Sequence, residues 1–200
     1  MTLNHVLVLP GWQGSSPAHW QSRWELRHGY QRVEQHDWQR PLRGDWSVRL
    51  EEALLGLHSS PGTAVLVAHS LACHLVAAWA AHSKQTQLVK VALLVAPADV
   101  ERPELRAQLP SWSPWASQRL PFKTRLLASR NDPFCSSERA QQFAAAWGSE
   151  FVDMGPAGHV NADSGLGDWP WGHAQLQALL QDGPLFSQTD TPWSLKNPKA

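Results

Sequence analysis

The sequence predicts an α/β protein: one doubly wound, mostly parallel sheet of about six strands with helices on both faces. Three observations carry that prediction. Short apolar runs of buried-strand type recur along the chain, at His5–Pro10, Ala64–Val67, Leu88–Ala96 and Lys123–Ser129. Segments with apolar residues at helical spacing alternate with them. Strand ends run into Gly, Pro, Asn or Asp, the residues of tight turns.

In chain order, HVLVLP opens as the first strand and ends in Pro10-Gly11-Trp12-Gln13-Gly14. Ser16 then reads as a cap and Pro17 as the first helical residue, with Trp20 and Trp24 on one face of the helix. This glycine-rich loop has neither G-x-G-x-x-G nor G-K-[ST], so it argues against a nucleotide. Arg32–Gln35 reads as a short strand near an edge, and Trp38–Gly44 as polar loop. Asp45 is the expected cap of a helix carrying Trp46, Leu50, Ala53, Leu54 and Leu57, which Ser59-Ser60-Pro61-Gly62 closes.

The stretch TAVLVAHSLACHL, Thr63–Leu75, organises the rest. Its apolar run stops abruptly at Ala68-His69-Ser70-Leu71-Ala72, and a helical stripe follows at Leu71, Leu75, Ala78 and Trp79. Strand, sharp turn and helix place Ser70 at the apex of a nucleophile elbow in a relaxed form, with alanine at both positions where G-x-S-x-G has glycine. A serine that merely caps the helix would fit the same letters.

Leu88–Ala96 is the next buried strand, ending at Pro97-Ala98-Asp99. Arg102–Pro121 holds Pro103, Pro110, Pro114 and Pro121 with Trp112 and Trp115 and no clear strand, and reads as an excursion over the carboxyl end of the sheet, a partial lid. Lys123–Ser129 is a strand ending at Arg130-Asn131-Asp132-Pro133; Ser136 or Ser137 caps a helix through Trp147. Glu150–Met154 is the last strand, ending at Gly155-Pro156-Ala157-Gly158-His159, and a helix from about Pro170 to Leu180 follows. One domain over 1–182 is expected, with 183–200 an irregular tail.

Composition excludes several functions. Basic and acidic residues balance at 17 each, so neither nucleic acid nor an anionic membrane is an expected partner. No apolar run is long enough to span a bilayer. The opening MTLNHVLVLP lacks the pattern of a signal peptide. The two cysteines, Cys73 and Cys135, fit no metal motif and suit a reducing compartment; the expected location is the cytoplasm, with no cofactor and no metal. Tryptophan is in excess, 12 residues against one tyrosine and five phenylalanines.

In a parallel sheet, sites form at the carboxyl ends of the strands. Ser70 follows the third strand, Asp132 the fifth and His159 the sixth, the chain order of a Ser-Asp-His triad. His159 would take the Ser70 proton, since imidazole titrates near working pH. Asp132 would orient the ring and stabilise its charged form. The backbone N–H of Leu71 and that of Trp12 would hold the oxyanion. Asp99 is a rival acid, and His69, His74 and His173 are rival histidines. Trp112 and Trp115 are candidates to line the substrate pocket.

Four segments, LPGWQGSSPAHWQSRWE, VAHSLA, SRNDPFCS and GHVNADSGLGDWPWG, together resemble the small bacterial and animal serine hydrolases related to retinoblastoma-binding protein nine, over about residues 5–181. The expected placement is as a bacterial member. The resemblance implies a minimal α/β-hydrolase fold without a large cap domain, a triad of Ser70, Asp132 and His159, and hydrolysis of a small ester or amide through an acyl-enzyme. The animal relatives are named for binding a pocket protein through an L-x-C-x-E motif; Leu71-Ala72-Cys73-His74-Leu75 lacks the acid, so that partner is not expected. The reading from another class is a non-catalytic ligand- or protein-binding module on the same fold, since fold does not dictate function.

Overall fold

A computed structural model describes residues 4–57 and 63–181. Six strands form one all-parallel sheet: β1 (His5–Leu9), β2 (Gln31–Arg32), β3 (Ala64–His69), β4 (Val89–Val95), β5 (Lys123–Ala128) and β6 (Glu150–Asp153). Their order across the sheet is β2-β1-β3-β4-β5-β6. The reversal of winding falls between β1 and β3, which is where a doubly wound sheet opens a crevice. The helices are α1 (Trp20–His28), α2 (Arg43–Gly56), α3 (Leu71–Ala80), α4 (Pro103–Gln108), α5 (Ser137–Trp147) and α6 (Pro170–Leu180).

Side chains alternate across the strands and divide the core in two. Leu66, Ala92, Leu94 and Leu126 face α2, α3 and α5, packing with Trp46, Leu50, Leu75, Phe143 and Trp147. Val65, Val67, Val91, Leu93 and Leu127 face α1 and α6, packing with Trp20, Trp24, Leu176 and Leu179. β3 and most of β4 are buried on both faces, so they read as nearly continuous apolar runs. Arg125 is fully buried on β5, where its guanidinium reaches Glu150 at 2.8 Å and the Gln175 carbonyl at 3.0 Å.

Several local expectations are corrected. The first helix starts at Trp20 rather than Pro17, and His19 is its cap, its Nδ1 accepting from the Gln21 N–H. Gly11-Trp12-Gln13-Gly14 and the turns after it take up the intervening chain, leaving Ser16 and Pro17 in loop. The second helix starts at Arg43, so Asp45 lies inside its first turn rather than capping it. There the carboxylate favours the helix dipole instead. β2 is two residues long and ends at Arg32, because the edge position leaves little to pair with. Arg102–Pro121 contains no strand, but it does hold α4 and a 3₁₀ turn at Pro110–Trp112. Ser136, not Ser137, caps α5 through Arg139 N–H. Ser59-Ser60-Pro61-Gly62 and the 183–200 tail lie outside the described residues. No large cap domain covers the sheet among the described residues, and no helix there is long and apolar enough to cross a membrane.

Candidate active site

Ser70 occupies the single residue between β3 and α3, at φ +57 and ψ −120. A non-glycine residue in that region is strained, and such strain persists only where the surroundings enforce it. Here the Ser70 N–H donates to the Val95 carbonyl at 2.9 Å, while its own carbonyl accepts from Cys73 N–H. Ala68 and Ala72 are both fully buried at the two positions where glycine is usual, so methyl groups fit there and the elbow forms. The close approach comes instead from the first loop. A Cβ on Gly11 would lie 2.8 Å from the Ser70 Cβ and 3.0 Å from the His69 carbonyl oxygen. The loop after β1 can lie against the elbow because Gly11 has no side chain.

Ser70, His159 and Asp132 form one hydrogen-bonded row. The Ser70 hydroxyl lies 2.9 Å from His159 Nε2. The other ring nitrogen, Nδ1, is 2.8 and 2.9 Å from the two carboxylate oxygens of Asp132. With Nδ1–H donating to the carboxylate, Nε2 is left as an acceptor for the serine proton. The Asp132 side chain is 2 % exposed and that of His159 10 %, so bulk water competes little for either bond.

The loops carrying the acid and the histidine are sewn to each other. Ser129 donates to Asn131 Oδ1 and accepts from Ala157 N–H, both at 2.8 Å. Asn131 Oδ1 also accepts from Gly158 N–H at 2.8 Å, and Arg130 N–H reaches the Gly155 carbonyl at 2.9 Å. Asp132 Oδ1 further accepts from Phe134 N–H at 2.8 Å, which fixes the carboxylate's rotamer.

Three braces on the histidine loop come from far away in the chain. The buried Trp20 indole donates to the Val160 carbonyl at 2.7 Å. His69 Nε2 donates to the His159 carbonyl at 2.9 Å. Trp24 donates to the Asp168 carbonyl at 2.8 Å. Burial, with His19 and His159 nearby, holds the His69 imidazole well below its ordinary pKa, and His19 beside it is pushed down to about 3 by burial first. Both are neutral at working pH, which suits a donor to a carbonyl and avoids like charge next to His159. The helical spacing of Trp20 and Trp24 placed them on one face, but only their indole nitrogens reveal the role. Trp20→Phe keeps most of the ring and deletes the donor, orphaning a buried carbonyl. Stability is expected to fall by about 1–3 kcal/mol, and the rate of any proton transfer from Ser70 by about tenfold through misplacement of His159. Thermal unfolding and steady-state kinetics on the folded variant check both.

A cavity of about 590 Å³ opens above Ser70, lined by Gly11, Trp12, His19, His69, Leu105, Leu109, Phe134, His159 and Asp163 among others. Leu71 is the first residue of α3, so its N–H has no carbonyl one turn back. Trp12 lines the same cavity, its indole tied to the Gln39 carbonyl at 2.9 Å.

The remaining sequence candidates lie elsewhere. Trp112 and Trp115 do not line the cavity. Trp112 is buried, donates to the Pro41 carbonyl at 3.0 Å and meets Trp46 edge-on. Trp115 packs on Phe143 and Trp147, with the Arg139 guanidinium over its ring. Their bulk is worth more in the core, where each ring finds aromatic neighbours. The excursion does reach the cavity, but through Leu105, Gln108 and Leu109; Leu105 and Leu109, four apart after Pro103, were the available signal. Asp99 is paired with Arg139 at 3.2 Å. His74 is buried against the Ala98 carbonyl, its pKa pushed down to about 4 by burial, and His173 bonds the Tyr30 hydroxyl at 2.8 Å.

Comparison with known proteins gives a consistent family. The serine hydrolase family model matches residues 6–178. No curated protein matches. Among solved structures, a protein assigned as a YdeN-like hydrolase from Pectobacterium atrosepticum is 32% identical, with 91% of this chain and 94% of that one covered and a TM-score of 0.73. The ydeN gene product of B. subtilis is 19% identical over 89% of this chain and 99% of that one, TM-score 0.73. Esterase 2 of Thermogutta terrifontis, 19% identical over 94% of this chain and 87% of that one, TM-score 0.62, shares the fold. The chain belongs to the serine hydrolase family.

Proposed function

We propose that this serine hydrolase cleaves small esters or amides through an acyl-enzyme on Ser70. The observation that carries the reading is the hydrogen-bonded row from Ser70 through His159 to Asp132. As Ser70 Oγ attacks the carbonyl carbon, His159 Nε2 takes its proton. Asp132 stabilises the imidazolium without taking the proton. The N–H groups of Leu71 and Trp12 are the donors to the oxyanion. His159 then gives its proton to the leaving oxygen or nitrogen. Water follows by the same route, with His159 as base, and frees the acid. No cofactor or metal enters these steps. The partner is a small molecule, not nucleic acid, membrane or a pocket protein.

Leu105 and Leu109 give the cavity an apolar wall, which suits an uncharged acyl group. We place the chain among the small hydrolases related to retinoblastoma-binding protein nine, as a bacterial, cytoplasmic member, on the four segments quoted above. The test is stopped-flow hydrolysis of p-nitrophenyl acetate and butyrate beside the matching anilides. The expected result is a burst of about one nitrophenolate per protein followed by slower turnover, as acyl-enzyme accumulates. Turnover of the anilides decides between ester and amide. No burst and no turnover on folded protein would favour the non-catalytic module.

A further inference from the structure

The cavity's charge is one-sided. Among the described residues its lining includes no lysine and no arginine. Beyond the Ser70–His159–Asp132 row, one acidic residue lines it among the described residues, Asp163. That carboxylate is exposed and pairs with no cation among the described residues. The turn that carries it is held at two points. Asp163 sits in the 3₁₀ turn Ala162–Ser164, with its N–H bonded to Asn161 Oδ1 at 3.1 Å. Ser164 Oγ ties the turn to the Ala157 carbonyl at 2.8 Å. The turn begins three residues after His159, and His159 is the residue that must reach the leaving atom.

Two aromatic side chains line the same cavity. Phe134 is 39 % exposed, and its ring stands edge-on to His159 at 4.6 Å. Trp12 lines the same cavity. An uncompensated carboxylate attracts a cation and repels an anion, and an aromatic face adds a cation–π attraction.

Resting on the hydrolase reading above, we propose that the natural substrate has an uncharged acyl group and a leaving group that carries a cation: an ester or amide of an amino alcohol or diamine, with its ammonium placed by Asp163 and the aromatic faces of Phe134 and Trp12. In the ester case, the Ser70 Oγ–acyl bond forms and the acyl–oxygen bond breaks. The leaving oxygen takes the proton held by His159, and water hydrolyses the acyl-enzyme to release the acid. Anionic leaving groups are the disfavoured class.

The test uses three thioesters with one acyl group: butyrylthiocholine, its uncharged isostere S-(3,3-dimethylbutyl) thiobutyrate, and S-butyryl-3-mercaptopropionate. Values of kcat/KM are divided by each compound's rate with hydroxide, to remove intrinsic reactivity. The order expected at low salt is cation over isostere by about tenfold, with the anion slowest. Asp163→Asn should cut the cation-to-isostere ratio about threefold to fivefold, and 0.5 M salt should cut it similarly in the native protein, because a rim charge is screened. Phe134→Leu should cut it about threefold. A native ratio at or below one, or a ratio that Asp163→Asn leaves unchanged, overturns the proposal. If none of the three is turned over, fluorophosphonate labelling separates the cases. A labelled Ser70 overturns the substrate class alone; an unlabelled Ser70 overturns the hydrolase reading and this inference with it.

Discussion

Ser70→Ala is expected to lower kcat for any ester the protein turns over by about 10⁴-fold or more, with the fold intact. The size follows from the chemistry: without Oγ there is no acyl-enzyme, and His159 can only assist direct attack by water. Intact folding follows from the geometry. Alanine is as strained as serine at φ +57, and the hydroxyl's bonding is to His159 rather than to the core. The thermal midpoint should therefore move by only a few degrees, in line with a change near 1 kcal/mol. His159→Ala should cost nearly as much, and the double variant little more than either one, since the three groups act as a unit. Additive losses would mean that Ser70 and His159 act separately.

The second large effect is on stability in mild acid. Burial pushes His19 down to about 3 and His74 to about 4, and holds His69 well below its ordinary value. In the unfolded chain all three titrate near 6.5. Above that pH neither state binds these protons and the folded state keeps its full stability. Below it the unfolded chain gains protons that the folded chain refuses, so stability falls as pH falls. Each such group contributes about 1.4 kcal/mol per pH unit between its unfolded and folded pKa. Three of them would remove several kcal/mol by pH 5, a large part of the 5–15 kcal/mol typical of a domain. Most carboxylates are still ionised at that pH, so the loss belongs chiefly to the histidines. Urea unfolding at pH 7.5, 6.5, 5.5 and 5.0 measures it; a free energy that stays level down to pH 5 would contradict the burial of these rings.

Which features the sequence revealed follows from the range of the interactions that make them. The central strands were legible because burial on both faces writes an unbroken apolar run, as at Leu66–Val67 and Val91–Val95. Ser70, Asp132 and His159 were legible because each stands just past a strand, where side chains converge whatever the tertiary detail. The cap at His19 was not, because an imidazole is a rare cap and Ser16-Pro17 is a common start. Trp112 and Trp115 looked like pocket residues only because they lie in a proline-rich excursion; partners at Pro41, Phe143 and Trp147 draw them into the core. The excess of tryptophan finds part of its reason in α1, where Trp20 and Trp24 hold carbonyls about 140 positions away. No local pattern encodes a bond of that span.

The central claim is that Ser70 is an activated nucleophile beside donors for an oxyanion. Labelling the folded protein with a fluorophosphonate, followed by peptide mass spectrometry, tests it without knowledge of the substrate, because the reagent needs both features. One adduct per chain is expected, on Ser70, formed at least a hundredfold more slowly in His159→Ala. An adduct on another residue, or none on protein that is demonstrably folded, would contradict it.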